Sequence, residues 1–153
     1  MSVYKNILIA VDVDGGAEQV LGKALALFSQ QDVGLTVLNV VDFPFPIYDS
    51  VIAGGLYAPV GLSLDESTLK ENRRKQLIDL LNKNSLDESL ARVECGRATN
   101  VILDVVASEG IDLIIIGSHG KHGAALLLGS TATGVLHRAA VDVLAVSIHD
   151  PEA

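Results

Sequence analysis

The apolar positions of this chain fall into short continuous runs, separated by stretches in which they recur every three or four residues. Ile7 to Val13 (ILIAVDV), Leu35 to Val41 (LTVLNVV), Ile111 to Ile116 (IDLIII) and Val141 to Ile148 (VDVLAVSI) are apolar at most positions. Runs of this length fit strands buried on both faces of a parallel sheet. Leu90 to Cys95 is shorter and more polar, which suits a sheet edge. Between these runs, Val20, Leu21, Ala24, Leu25 and Phe28 form one helical stripe. Leu69, Leu77, Leu80 and Leu81 form a second, capped by Asp65 or Ser67 and reaching about Asn84. Ala98, Val101, Ile102, Val105 and Val106 form a third, with Thr99 as candidate cap and Gly110 as terminator. A last helix opens at Gly129 or Ser130 and carries Val135, Leu136 and Ala139. Strand and helix alternate throughout, so the expected fold class is α/β: a five-stranded parallel sheet, order 3-2-1-4-5, with helices on both faces.

Phe43 to Leu64 breaks the alternation. Pro44, Pro46 and Pro59 block regular pairing there, and the segment reads as a long loop. The chain has 153 residues, which predicts a single domain over 1–149 with a short tail at 150–153. A hydrophobic content of 49% with only 4% aromatic residues points to a core of Val, Ile, Leu and Ala. The net charge of -8 argues against nucleic acid as a partner, because that binding needs clustered Lys and Arg. The densest basic group, Arg73-Arg74-Lys75, reads as the solvated face of a helix. Cys95 is the single cysteine, which excludes an intramolecular disulfide and a Cys-based zinc site and suits a reducing compartment. It reads as a packed thiol. The opening run is too short for a signal peptide or a membrane span, so the expected location is cytoplasmic with no membrane partner.

The candidate chemistry concentrates in Ile111 to Arg138. An apolar strand stops at Gly117, the chain passes Gly120 and Gly123, and a helix restarts at Gly129-Ser130-Thr131. Such a junction turns backbone N–H groups and a helix N-terminus toward one crevice, an arrangement suited to phosphate. Lys121 is the only fixed cation of that loop and could meet a phosphate as a point charge. Asp12 follows the first strand and faces the same switch point, where a carboxylate suits ribose hydroxyls or caps the next helix. Ile7 to Gly15 also matches the strand-Asp-x-Asp-Gly opening of haloacid-dehalogenase-type phosphatases, with Asp12 as nucleophile and Asp14 as acid/base. The acids that such enzymes need after the fourth strand are missing from Gly117-Ser118-His119-Gly120. His119 and His122 lack enough partners for a metal shell and read as loop histidines, so no metal site is expected. Neither standard nucleotide fingerprint follows the first strand.

Four segments resemble the universal stress protein family: YKNILIAVDVD, LTVLNVVD, GRATNVILDVVASEGIDLIIIGSHGKHG and LLLGSTATGVLHRAAVDVLAV. The resemblance runs over essentially the whole chain. It implies a Rossmann-like fold of the adenine nucleotide alpha hydrolase type and a cytoplasmic, homodimeric stress-response protein. Its nucleotide-binding branch carries Gly-x2-Gly-x9-Gly-Ser/Thr. Matched residue by residue, the family pattern puts Gly117, Gly120, Gly129 and Ser130 on the phosphates of ATP, with Thr131 beside them. It puts Asp12 on the ribose and Ala10, Val40 and Ile116 around the adenine. Asp12 is also the one acid placed for an accompanying Mg²⁺. Here eight residues, Lys121 to Leu128, separate Gly120 from Gly129, one fewer than the motif. That shortening resembles the stress protein A subgroup, whose founding members do not bind ATP, although those lose the glycines that this chain keeps. The alternative is therefore a dimeric interaction protein without ATP. No residue is an evident base for hydrolysis, so an enzyme is not expected. In the family the last strand commonly pairs across a two-fold axis, which implies a homodimer through Val141 to Ile148.

Overall fold

The computed structural model describes residues 2–42, 66–118 and 128–148. In chain order its elements are β1 (Asn6–Ala10), α1 (Ala17–Phe28), β2 (Gly34–Val41), α2 (Glu66–Lys83) and a 3-10 turn (Glu88–Leu90). They continue with β3 (Ala91–Cys95), α3 (Ala98–Glu109), β4 (Leu113–Gly117), α4 (Ser130–Arg138) and β5 (Asp142–Val146). The five strands form one sheet in the order β3-β2-β1-β4-β5, and every pair is parallel. This is the order expected from the alternation of strand and helix. The segment from Phe43 to Leu64, the histidines at 119, 122 and 149, and the tail lie outside the described residues.

The continuous apolar runs are explained by burial on both faces. Ile7, Leu8 and Ile9 of β1 and Ile114 and Ile115 of β4 are fully buried. Odd-numbered β1 residues pack against Val20, Leu21 and Ala24 of α1 and Leu77, Leu80 and Leu81 of α2. Even-numbered ones pack with Leu38 against Ile102, Val105 and Val106 of α3 and Ala132 and Val135 of α4. Burying each such Leu, Ile or Val contributes about 1.5–3 kcal/mol, so the sheet holds all four helices in place. At the N-terminal end of the strands, the Asp112 carboxylate accepts from the backbone N–H groups of Lys5 and Asn6 and so levels β1 with β4. Ala10 then stands opposite both Leu38 and Ile116.

Two local expectations are corrected. β1 ends at Ala10 rather than Val13, because Asp12 to Gly15 turns on itself: Gly15 N–H donates to Asp12 O at 3.0 Å, and Asp14 N–H to Asp12 Oδ1 at 3.0 Å. Asp12 caps that turn and not α1, whose N-cap is Gly16 with no side-chain bond. Thr99 does not cap α3 either. The N-cap is Arg97, and Thr99 is the second residue of the helix, packed where α3 meets Gly134 of α4.

The two sheet edges differ. On β3, Arg92 pairs with Glu94 and with Glu109, and Lys70 of α2 also reaches Glu94. On β5, Asp142 accepts from the Tyr4 hydroxyl at 2.8 Å, and beyond it Val143 and Leu144 are half-buried and Ala145 is exposed.

Just past β5 the side chain of Ile148 lies against Gly117 of β4 and Gly16 at the start of α1. A Cβ at Gly117 would sit 2.5 Å from Ile148 Cδ1, and one at Gly16 would meet three Ile148 carbons at 2.5, 2.9 and 3.0 Å. Gly16 also has φ +75°, in the left-handed region. Gly117→Ala asks that the tip of Ile148 rotate and that Val20 Cγ2, at 3.3 Å, give slightly, whereas Gly16→Ala adds backbone strain of about 1–2 kcal/mol. Urea unfolding should therefore show Gly16→Ala as the more destabilising change, and Ile148→Ala should suppress most of the cost of Gly117→Ala but a smaller share of that of Gly16→Ala.

Candidate functional site

A cleft of about 430 Å³ opens at the C-terminal ends of β1, β2 and β4, a volume in the ordinary range for small-molecule sites. It lies where the winding reverses, since β1 leads by α1 to β2 on one side and pairs with β4 on the other. Eight of the ten candidate binding residues line it together: Ala10, Asp12, Val40, Ile116, Gly117, Gly129, Ser130 and Thr131. The other two, Gly120 and Lys121, lie outside the described residues.

The cleft straddles the edge of the sheet. On the α3/α4 side it is apolar, walled by Ala10, Leu38, Val40, Ile102, Ile116 and Ala132. On the α1/α2 side it is mixed: Asp14, Asn39 and Arg73 supply polar groups beside the apolar Val11, Val20 and Ile148. Asp12 and Asp42 add two further carboxylates.

The glycine-spaced stretch enters and leaves at one point. Ser118 N–H donates to Val146 O at 2.8 Å, and Gly129 N–H donates to Ser118 O, which ties the two ends of the stretch together. Gly129 is the N-cap of α4 but supplies no side-chain bond. The first N–H groups of a helix have no partner within it, and Ser130, Thr131 and Ala132 all line the cleft. That end of α4 therefore offers backbone donors and positive dipole to whatever enters.

Three features escaped the sequence reading. Arg73 was expected on a solvated helix face, yet it lies half-buried in the cleft, its Nη1 2.6 Å from Asp14 Oδ2. Nothing in the spacing of Arg73-Arg74-Lys75 distinguishes the first from its exposed neighbours. Asn39 interrupts the apolar run of β2, a signal that was legible. It is only 4% exposed, and its Nδ2 donates to Val11 O at 2.9 Å. That bond fixes the amide orientation and leaves Oδ1, inside the cleft wall, with no hydrogen-bond partner. An unmet buried acceptor costs about 1–3 kcal/mol, which a donor entering the cleft would recover. Ile148 closes the cleft against Gly117.

Cys95, at the end of β3, packs beside the α1/α2 core. Burial first, and then the Glu66 carboxylate through its charge and a hydrogen bond, raise the thiol pKa. Among the described residues no three His, Cys, Asp or Glu side chains gather as a metal set, and no helix is long and apolar enough to cross a membrane.

Strand order, switch-point cleft and helix start together define a Rossmann-like α/β protein with a cleft sized for a small molecule. The family model described as the universal stress protein family matches residues 3–147, and the chain belongs to that family. It is 36% identical over 149 residues to universal stress protein A homolog 2 of Coxiella burnetii, covering 97% of this chain and 98% of that one. Among solved structures it superposes on hypothetical protein MJ0577 with a TM-score of 0.73 and 23% identity, covering 97% of this chain and 99% of that one. A universal stress protein solved in complex with cAMP superposes with a TM-score of 0.54 and 15% identity, covering 95% and 98%.

A raised thiol pKa lowers the thiolate fraction at any given pH. Alkylation of Cys95 by iodoacetamide at pH 7 should therefore be slower than that of a solvated thiol, and should keep accelerating as the pH passes the ordinary thiol range. Glu66→Gln should shift that rise to lower pH.

Proposed function

We propose that the cleft takes an adenine nucleotide, ATP in the first instance, and that the protein acts in the cytoplasm as a homodimeric stress-response binder rather than an enzyme. The observation that carries this reading is the convergence of Asp12, Gly117 and the uncapped α4 start at Gly129–Thr131 on one cleft. The apolar side formed by Ala10, Val40 and Ile116 suits a purine face, Asp12 suits the ribose hydroxyls, and the α4 N–H groups suit phosphate. The universal stress protein solved with cAMP supports a nucleotide in this fold. Among the described residues three carboxylates line the cleft against one guanidinium, so Mg²⁺ is expected to accompany a triphosphate. The acids that an Asp-x-Asp phosphatase needs after the fourth strand are missing from Gly117-Ser118-His119-Gly120, which weighs against that reading.

The second reading, a dimer that does not bind ATP, is favoured by the loop that is one residue short between Gly120 and Gly129. Calorimetry decides between them. Saturable heat with ATP and Mg²⁺ is expected, and Asp12→Asn should weaken ATP and adenosine alike by about tenfold, the worth of one hydrogen bond to a charged group. Absence of heat at millimolar ATP would overturn nucleotide binding. Light scattering at micromolar protein should give the mass of a dimer; a monomeric mass would overturn the pairing through Val141 to Ile148.

A further inference from the structure

Arg73 is the one basic side chain among the described residues that line the cleft, and it reaches in from α2, on the opposite side of the sheet from α4. Its guanidinium is held by Asp14 at 2.6 Å and, more loosely, by Gln76 Oε1 at 3.4 Å. The pair is poorly shielded, since the side chains of Arg73 and Asp14 are 31% and 43% exposed. A partly solvated pair of this kind is weakly held and is readily exchanged for a stronger partner. A phosphate group is such a partner, because it accepts two parallel N–H bonds from the planar guanidinium and carries more charge than one carboxylate. The buried Asn39 Oδ1 is an independent sign that this side of the cleft is completed from outside, for none of the described residues donates to it.

We infer that Arg73 is a ligand-binding residue that leaves Asp14 to hold a phosphate group of the bound nucleotide, so that Asp14 acts as an intramolecular competitor for that phosphate. The inference rests on the nucleotide reading above and adds to it a residue and a competition. The α4 N–H groups meet the phosphates from one side, and Arg73 meets them from the other. In the free protein Asp14 keeps Arg73 folded over the polar half of the cleft; on binding, Asp14 is released to solvent. Asn39 Oδ1 accepts from a hydroxyl of the ligand or from a water that it orders.

The competition gives a signature that a structural role for Arg73 would not give. Adenosine and ATP with Mg²⁺ are titrated calorimetrically into the wild type, Arg73→Gln, Asp14→Asn and the double variant. Circular dichroism and urea unfolding establish that each is folded. Arg73→Gln should weaken ATP by about tenfold, the loss of a charge-assisted contact, and leave adenosine unchanged. Asp14→Asn should tighten ATP about two- to threefold, and this gain should vanish in the Arg73→Gln background. A gain from Asp14→Asn that persists without Arg73 means a plain field effect and overturns the inference. So does equal weakening of adenosine and ATP by Arg73→Gln. If the wild type binds neither ligand, the nucleotide reading itself has failed, which is distinct from a wild type that binds ATP indifferently to both substitutions.

Discussion

The placement of β1 between β2 and β4 is the constraint from which the rest of this molecule follows. Crossovers between parallel strands are right-handed, so α1, joining β1 to β2, must pack on one face, while the connections leading outward to β4 and β5 put α3 and α4 on the other. At the C-terminal end of β1 the two windings diverge and nothing in the sheet covers the gap. Ala10, opposite Leu38 and Ile116, therefore forms the floor of a cleft without any residue being specialised for that purpose. The register that levels these strands is fixed far away, by Asp112 holding the backbone of Lys5 and Asn6.

The electrostatics of the cleft are at odds with a simple anion site. Carboxylates at Asp12, Asp14 and Asp42 outnumber the single guanidinium among the described lining residues. Backbone N–H groups at the start of α4 carry fixed partial charge that needs no basic side chain, so the fold can present positive potential within an acidic protein. Asn39 adds a third kind of polarity: a neutral acceptor buried in the cleft wall, its orientation set by Val11 O and its Oδ1 without a hydrogen-bond partner. The walls thus favour a molecule with donors on one part and negative charge on another, rather than an ion of uniform character.

Strand and helix were legible where burial alone decides them. Ile7 to Ile9 and Leu113 to Ile116 are apolar because both of their faces are covered, and that demand is written locally in the sequence. Family resemblance and glycine spacing together located the cleft, since Asp12, Gly117 and Gly129 are brought to one place by topology that the strand order already implies. What sequence could not reveal depends on contacts between distant segments. Arg73 sits among charged neighbours on α2 and is singled out only because Asp14 lies within reach once α1 and α2 share a face. Ile148 looked like the last residue of a strand, whereas Gly16 and Gly117 are bare because its side chain fills the space that their own would occupy. Thr99 has the chemistry of a cap, but the cap falls two residues earlier at Arg97, and Thr99 instead packs against the bare backbone of Gly134.

The unlike edges of the sheet limit how copies of this chain can be joined. β3 carries Arg92 and Glu94, neutralised by Glu109 and Lys70, so a neighbouring strand approaching it would have to break these pairs. β5 offers Val143, Leu144 and Ala145 with little charge beyond Asp142. Growth of a sheet from molecule to molecule needs two receptive edges, one to receive and one to present. With one edge guarded, two copies meeting through β5 leave only guarded edges facing outward. Association by that route closes on itself at two and has no way to propagate into a fibre.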